Sequence, residues 1–489
     1  MRRSPVIAAT MLAALCACAV GPNFKRPTPP AAPGYGSAPA AGSTASASGT
    51  GGEAQHFVSG LDIPGEWWTL FRSAELNRLI EEALKANPNV EAAQAALRQA
   101  QALYRAQRSS FFPTVQGGFS ATRSKFAGAT LTAPTIASST TYNLYTPELT
   151  LSYTPDVFGG VRRSVESARA QMESTRFELE ATYVTLTSNV VVTAVQEASL
   201  RAQLASTERL LAVQRELTET VRRQRALGTA SGLDLLTQQS AEAQTAATLP
   251  PLQKQLGQTR DALTALLGRL PSEEPREEFR LEDLTLPRDL PVSLPSKLIE
   301  QRPDVRQAEE NLHAASAQAG AALADLLPQF SIDADIGSAA LTIGRLFSPY
   351  TGFWDVGASL TQTLFDAGAL LDRKRAADAA LDEAAAQYRG AVILACQNVA
   401  DSLRALQADA NALRANADAE RAARASFDMS QRQYRLGTVS FVVVLNAEQL
   451  YRQAELARVQ AAANRYADTA GLFQALGGGW WNLSGERTR

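Results

Sequence analysis

Apolar residues recur every three or four positions through the longest uninterrupted stretch of this chain, from Gly160 to Leu227. This spacing places them on one face of an α-helix, and neither proline nor an internal glycine interrupts the stretch. At 1.5 Å per residue the helix would be about 100 Å long, whereas helices usually have about 11–12 residues. A rod of this length cannot be buried inside a compact domain, so we expect it to pack lengthwise against similar rods.

The same pattern occurs a second time. Landmarks of the first half return in the same order and at nearly constant spacing in the second half, which indicates an internal duplication. We therefore predict two structural repeats, 66–275 and 276–489. The paired landmarks are Asn87-Pro88-Asn89-Val90 with Arg302-Pro303-Asp304-Val305, Phe112-Pro113 with Leu327-Pro328, Phe158 with Phe365, Leu227-Gly228-Thr229 with Leu436-Gly437-Thr438, and Leu267-Gly268 with Leu476-Gly477.

Each repeat is predicted to contain a first helix, a long helix and a partner helix. A tight turn is expected between the long helix and its partner, because Gly228 and Gly437 suit a left-handed helix C-cap. Pro250 and Pro251 remove two backbone donors, so we expect them to break or kink the first partner helix. The predicted helices are 76–110, 160–227 and 233–267 in the first repeat, and 371–436 and 441–476 in the second.

The N-terminus resembles a bacterial lipoprotein signal. A basic start precedes a short apolar segment that is too short to span a membrane. Cys18 follows the small residue Ala17 and fits the acylation site, whereas bulky Leu15 precedes Cys16. We predict a signal peptide at 1–17 and covalent lipid on Cys18, whose acyl chains would hold the protein firmly in a membrane. An ordinary cleaved signal peptide with two incidental cysteines is the alternative.

Residues 27–56 are rich in proline, alanine, glycine and serine. This composition is typical of a disordered or extended tether. We therefore assign 18–65 as a lipidated N-terminus and flexible linker, with order beginning near Trp67 and Trp68.

Apolar and polar residues alternate in four segments, about 113–125, 147–157, 328–338 and 353–365. Strands of about ten residues with one apolar face suit a tilted transmembrane β-strand. An antiparallel sheet over a soluble core would alternate in the same way, but the lipid anchor and the long helices favour the membrane. Open edges are not tolerated in lipid, so several copies must share one barrel. Three copies would supply 12 strands and leave room for a channel.

The composition and the absence of catalytic motifs argue against several classes of function. The chain of 489 residues has 47 basic and 49 acidic residues, which argues against nucleic acid as a partner. The two histidines, His56 and His313, have no ligand-spaced neighbours. We find no nucleotide-binding loop, no metal-spaced cluster and no nucleophile with its base, so we expect no enzyme activity, metal or cofactor beyond the lipid.

Several motifs together resemble the TolC-type outer-membrane efflux proteins, in particular the lipoprotein (OprM/NodT-like) branch. They are the segment from Cys18 to Pro27, the Trp67-Trp68 pair with Phe71, the duplicated unit, and the turn Tyr434-Arg435-Leu436-Gly437-Thr438. The resemblance covers nearly the whole chain. It implies an α+β membrane protein that assembles as a homotrimer, with a 12-stranded β-barrel in outer-membrane lipid and an α-helical barrel across the periplasm. It also implies a periplasmic adaptor and an inner-membrane transporter of the RND type as partners.

The resemblance also implies the functional residues. The adaptor would contact the tip turns formed by Leu227, Gly228, Thr229, Leu436, Gly437 and Thr438. The gate of the family uses charged and tyrosine side chains beside these turns.

In this chain Tyr434 matches the gate tyrosine and Asp234 matches an acidic gate position. TolC carries an arginine and two aspartates where this chain has Val439, Val443 and Asn446, so its particular salt-bridged lock is not carried over to this chain. Asp234 paired with Arg222 or Arg435 is our substitute hypothesis for the gate.

The sequence therefore predicts an outer-membrane exit duct that passes small molecules or drugs delivered by an inner-membrane pump. An exit duct for type I protein secretion is the first alternative. A structural coiled-coil lipoprotein of the envelope is the second.

Overall fold

The computed structural model describes residues 20–29, 34–35, 42–125 and 141–483. Two compact units are present. Among the described residues, the first unit combines residues 20–26 with those of Arg98–Ser174 and Glu309–Gln387, and the second combines those of Pro27–Leu97, Thr175–Ala308 and Tyr388–Arg489. Each unit therefore takes chain segments from both predicted repeats.

The helices and strands follow one order in the two halves of the chain: two helices, two strands, a very long helix and a shorter helix. A short strand precedes this series in each half. In chain order the elements are β1 (His56–Ser59), α1 (Ala74–Ala86), α2 (Pro88–Arg108), β2 (Thr114–Lys125), β3 (Thr141–Tyr153), α3 (Gly160–Ala226), α4 (Gly232–Leu266), β4 (Asp289–Val292), α5 (Pro295–Gln301), α6 (Pro303–Ala324), β5 (Gln329–Ser338), β6 (Gly352–Thr361), α7 (Ala369–Arg435) and α8 (Phe441–Ala475).

The first unit contains a four-stranded antiparallel sheet with the strand order β2-β3-β5-β6. Its apolar side chains share one face because the register pairs Leu149 with Ile336, and Ile336 with Trp354. This face is open: Trp354 is 75% exposed, Ile336 61% and Phe119 60%. The sheet therefore does not cover a soluble core formed by the described part of its own chain.

Two strands end earlier than the alternation predicted. β3 covers 141–153 instead of 147–157, and β6 covers 352–361 instead of 353–365. The residues beyond the strands form short connections that lead into the long helices. Asp156 accepts hydrogen bonds from the backbone N–H groups of Val161 and Arg162, both at 2.9 Å. Asp366 does the same at the start of α7, so each carboxylate caps a helix N-terminus.

The predicted helix 76–110 is wrong, because two helices occupy that range. Asn87 separates α1 from α2 and has extended backbone angles, φ −70° and ψ 124°. The residue before a proline is displaced from helical geometry by the proline ring, and here that proline is Pro88. The Asn87 side chain compensates by donating to the carbonyl of Leu266 and accepting from the backbone of Asn89.

Helix α4 continues through Pro250 and Pro251, so the predicted break is wrong. Both prolines are exposed, and the carbonyl groups that lose their backbone donors can therefore be hydrated. Within the described ranges, none of the helices combines the length and the apolar character that crossing a membrane requires.

Aromatic side chains form the core of the second unit. Trp67 is fully buried and stacks on Phe473 with ring centroids 5.1 Å apart. Phe71 packs beside Trp67, and the hydroxyl of Tyr466 donates to the carbonyl of Leu284 at 2.9 Å. Order thus does include Trp67, as predicted, but it begins earlier in the chain.

The flexible linker predicted for 18–65 is wrong for its described residues from 42 onward. Strand β1 pairs in parallel with β4, and Arg465, fully buried on α8, binds the segment before β1. Its guanidinium donates to the carbonyls of Gly51 (2.7 Å) and Glu53 (2.6 Å) and to the hydroxyl of Thr44 (2.7 Å). A segment poor in apolar residues is therefore ordered by long-range hydrogen bonds to a buried charge.

Candidate functional site

The turn between α3 and α4 is a helix C-cap with a glycine in the left-handed region. Gly228 has φ +77°. Its N–H donates to the carbonyl of Arg225 at 3.0 Å, and the N–H of Thr229 donates to the carbonyl of Gln224 at 2.9 Å. These two bonds define a Schellman motif. The Thr229 hydroxyl also donates to the carbonyl of Gln224, while Leu227 is 80% exposed.

The turn between α7 and α8 has the same geometry. Gly437 has φ +71°, its N–H donates to the carbonyl of Tyr434 at 2.9 Å, and Thr438 donates to the carbonyl of Gln433 at 3.0 Å. Leu436 is 78% exposed. Each turn thus displays one leucine on a rigid support, which is the property that a docking surface needs. We call the residues 227–229 and 436–438 the tip turns.

The predicted gate residues fall into different local environments. Tyr434 accepts a hydrogen bond from the side-chain amide of Gln224 at 2.8 Å, and its ring packs against Phe441. This contact joins the end of α3 to the end of α7. Sequence reasoning missed Gln224, because a polar residue at an exposed helix end carries no pattern.

Asp234 lies in the first turn of α4 and forms a capping box with Ser231. The Ser231 hydroxyl accepts from the Asp234 N–H at 3.1 Å, and the Asp234 carboxylate accepts from the Ser231 N–H at 2.9 Å. Hydrogen bonds from Ser231 hold the pKa of Asp234 below its usual value. In this chain Arg222 pairs with Glu219, and Arg435 donates to the carbonyl of Gln431. A gate role for Asp234, Arg222 and Arg435 stays a prediction.

The interior of the second helical hairpin contains a buried carboxyl group. Glu448, two turns into α8, is 1% exposed, and neither of its oxygens has a hydrogen-bond partner within the described residues. Arg452, one turn further on, donates instead to Glu455 at 3.0 Å. Burial raises the pKa of Glu448 to about 7, although the charge of Arg452 opposes this effect.

The polar face of the four-stranded sheet carries only one sign of charge. Alternation along the paired strands places Glu148, Asp333, Asp335 and Asp355 on this face. No lysine or arginine of these described strands shares it. Asp335 lies directly opposite Asp355, and Asp333 accepts a hydrogen bond from Ser152 at 2.8 Å.

Cys18 and the predicted signal peptide lie outside the described residues, but the segment after them is held firmly in the first unit. The N–H of Val20 donates to the carbonyl of Phe158 at 3.0 Å. Arg163, which is buried, donates to the carbonyls of Val20 and Gly21 and to the side chain of Asn23. We call 20–26 the docked segment.

His313 also contacts the docked segment. The ring of Phe24 stacks on His313 with centroids 4.3 Å apart. His313 lies between Glu310 and Glu166, with its Nε2 atom 3.0 Å from Glu166, and these hydrogen bonds raise its pKa. No local spacing in the sequence signals this cluster, because its members come from three separate segments: the docked segment, α3 and α6.

Comparison with known proteins identifies the same architecture. Residues 79–269 and 294–478 match the family described as outer membrane efflux protein. The pyoverdine export outer membrane protein OpmQ of Pseudomonas putida is 30% identical over 417 residues, which cover 85% of this chain and 88% of that protein. The probable efflux pump outer membrane protein TtgC of the same species is 28% identical over 473 residues. The aligned residues cover 96% of this chain and 94% of that protein.

Solved structures agree. The outer-membrane channel OprN superposes with a TM-score of 0.84 at 29% identity, covering 95% of this chain and 100% of that one. The family resemblance inferred from the sequence is confirmed, and with it an efflux function at the outer membrane. The family model matches both halves of the chain, and the fold agrees with that of a solved outer-membrane channel, so the chain belongs to the outer membrane efflux protein family.

Proposed function

We propose that three copies of this chain form the outer-membrane exit duct of a tripartite efflux system. The duct passes small molecules that an inner-membrane RND transporter delivers through a periplasmic adaptor. The observation that carries this proposal is the four-stranded sheet, which has one exposed apolar face, one polar face and two edges that pair with no other described strand.

Such a sheet requires both lipid and further copies of itself. Full burial of a phenylalanine side chain stabilises a protein by about 1.5–3 kcal/mol, so transfer of the exposed part of Phe119 from water to lipid contributes at most that much. Unpaired backbone groups are not tolerated in lipid, so the edge strands β2 and β6 must pair with other strands. Three four-stranded sheets close a 12-stranded barrel whose polar faces line an aqueous lumen.

The docked segment supports a lipid anchor on Cys18. Val20 is bonded to Phe158, which lies between the end of β3 and the start of α3. Two residues reach at most about 7 Å, so an acyl group on Cys18 is tethered close to the point where the apolar strands end. That point is the surface of the membrane if the strands span it.

The tip turns are proposed as the docking surface for the adaptor. Leu227 and Leu436 are exposed on matching turns, and two such turns per chain give six per trimer with nearly equal geometry. An exposed apolar side chain on a rigid turn offers a partner area without an ordering penalty.

Transport through the duct is passive. The closed state is held by contacts between neighbouring hairpins, of which the bond from Gln224 to Tyr434 is one example within a chain. Asp234, Arg222 and Arg435 are proposed to add contacts between copies. The partners open the tips by binding, and the inner-membrane pump supplies the energy.

Genetic complementation tests this function against the protein-secretion alternative. A strain that lacks the gene should become more sensitive to small toxic compounds, and the intact gene should restore resistance. Unchanged sensitivity with loss of a secreted protein would instead establish type I secretion. The name of the relative OpmQ refers to export of pyoverdine, a fact that favours small molecules.

Conductance tests the duct against the structural-lipoprotein alternative. The purified protein should form ion-conducting channels in planar bilayers and should migrate as a heat-modifiable oligomer on gels. A protein that is monomeric in detergent and never conducts would overturn the proposed duct.

A further inference from the structure

The four-stranded sheet has two edge strands, β2 and β6, and the internal repeat indicates how such strands can pair between copies. In the described part of the chain, neither β2 nor β6 has a neighbour on its outer side. The contact between the two repeats is already present inside the chain, where β3 of the first repeat pairs with β5 of the second. In a closed ring, β6 of one copy must meet β2 of the next in the equivalent way.

Because the two repeats correspond in structure, the register of β6 with β2 of the next copy can be derived from the observed register of β3 with β5. Thr114 and Gln329 begin the equivalent strands β2 and β5, so these strands correspond at a spacing of 215 positions. The hairpins pair Thr114 with Ser152 and Gln329 with Thr361, so β3 and β6 correspond at a spacing of 209. The starts of α3 and α7, Gly160 and Ala369, have that same spacing.

We propose that β6 of one copy pairs antiparallel with β2 of the next in one register, derived by applying these two spacings to the observed pairing of β3 with β5. The inference rests on the proposed trimer and specifies its interface. The predicted cross-copy pairs are Gly357 with Thr122, Ala358 with Ala121, Ser359 with Ser120, Leu360 with Phe119, and Thr361 with Gly118.

Side-chain chemistry is consistent with this register. Leu360 and Phe119 are each 60% exposed on the apolar faces of their strands, and the register places them directly opposite each other. Aromatic and aliphatic residues opposed in this way stabilise antiparallel strands. Ser359 and Ser120 meet on the polar face, so both faces of the sheet continue from one copy into the next. No like charges face each other among the five pairs.

A register slipped by two residues is the competing arrangement. The landmark residues Phe158 and Phe365 are 207 positions apart, and this spacing would pair Ser359 with Gly118 instead of Ser120. The hairpin pairing and the helix starts argue for 209, because they are fixed by backbone geometry in the strands and helices themselves. The landmark phenylalanines lie in the connections beyond the strands, where the two repeats differ.

Disulfide trapping distinguishes these registers. A disulfide needs Cα atoms about 4.4–6.8 Å apart; directly opposed residues satisfy this at about 4.5–5.5 Å, whereas diagonal neighbours at about 7–8 Å do not. In a Cys396→Ser background, the double variant Ser359→Cys/Ser120→Cys should yield a covalent trimer on oxidation. The matched pairs Ser359→Cys/Gly118→Cys and Ser359→Cys/Thr122→Cys should link at least about tenfold less.

An internal pair controls for oxidation and folding. The hydroxyl oxygens of Ser331 and Ser359 are 2.8 Å apart within one chain, so Ser331→Cys/Ser359→Cys should form a disulfide without adding mass. Preferential linkage at Gly118 or Thr122 would overturn the register and leave the trimer intact. If the internal pair forms a disulfide and no cross-copy pair does, the molecular mass of the protein in detergent distinguishes the two remaining explanations. A trimer overturns the register alone, and a monomer overturns the proposed trimer as well.

Discussion

Replacing Glu448 by glutamine should remove a pH-dependent weakness from the second helical hairpin. The carboxyl group is 1% exposed and has no hydrogen-bond partner within the described residues, and burial raises its pKa from 4.5 to about 7. The folded hairpin therefore binds a proton that the locally open form releases. Stability is fully present below pH 4.5 and is lost as the pH rises through 7.

The magnitude follows from the difference between the two pKa values. Each unit corresponds to about 1.4 kcal/mol, so ionising Glu448 in the closed hairpin costs about 3 kcal/mol above pH 7. Glu448→Gln avoids this cost but retains a buried amide, which itself needs a partner. We expect a net gain of about 1–3 kcal/mol at pH 8 and little change at pH 4.5.

Hydrogen–deuterium exchange with mass spectrometry measures the local effect. At pH 8, peptides from 441–451 should exchange about 10–100-fold more slowly in Glu448→Gln than in the wild type, since a factor of ten corresponds to about 1.4 kcal/mol. At pH 4.5 the two proteins should exchange alike. Glu208→Gln, an exposed residue on α3, is the control and should show no difference. An equal ratio of exchange rates at both pH values would refute the reasoning.

Three further predictions concern the first tip turn, the polar face of the sheet and the docked segment. Gly228→Ala should destabilise the first tip turn by about 1–2 kcal/mol. The cause is backbone strain, because φ +77° is unfavourable for alanine although a Cβ atom at this position meets no neighbour. A pull-down with the adaptor should show weaker binding, and unchanged binding would contradict the prediction. Asp335→Asn/Asp355→Asn should lower the preference of the channel for cations, so the reversal potential in a KCl gradient should move towards zero. Arg163→Met removes the donor that binds the docked segment, and trypsin should cleave within 20–29 at least about tenfold faster; equal cleavage rates would show that the segment is held by other contacts.

Much of the architecture is encoded in local patterns. The 3.6-residue periodicity predicted a helix at 160–227, and α3 occupies Gly160–Ala226. The glycines at 228 and 437 predicted the left-handed caps that both turns contain. Such features are readable because each depends on residues within one or two turns of the chain, whose backbone preferences the side chains set directly.

Other features escaped sequence reasoning because they depend on residues distant in the chain. The segment before β1 has the composition of a linker, but Arg465 on α8 orders it through buried hydrogen bonds. The sequence predicts a gate role for Asp234 but not its capping box with Ser231 at the start of α4. The sequence predicts acylation of Cys18, but it does not predict that Arg163 binds the docked segment that follows.

The sequence by itself determined the duplication, the two long helices and the two-faced strands, since periodicity is a property of neighbouring residues. Only the tertiary structure decided the register of β3 against β5, the order of the N-terminal segment and the isolation of Glu448. These depend on which polar groups find partners after burial. Pairing between distant segments costs chain entropy and desolvation that no local pattern records, so it becomes visible only when the whole chain is folded.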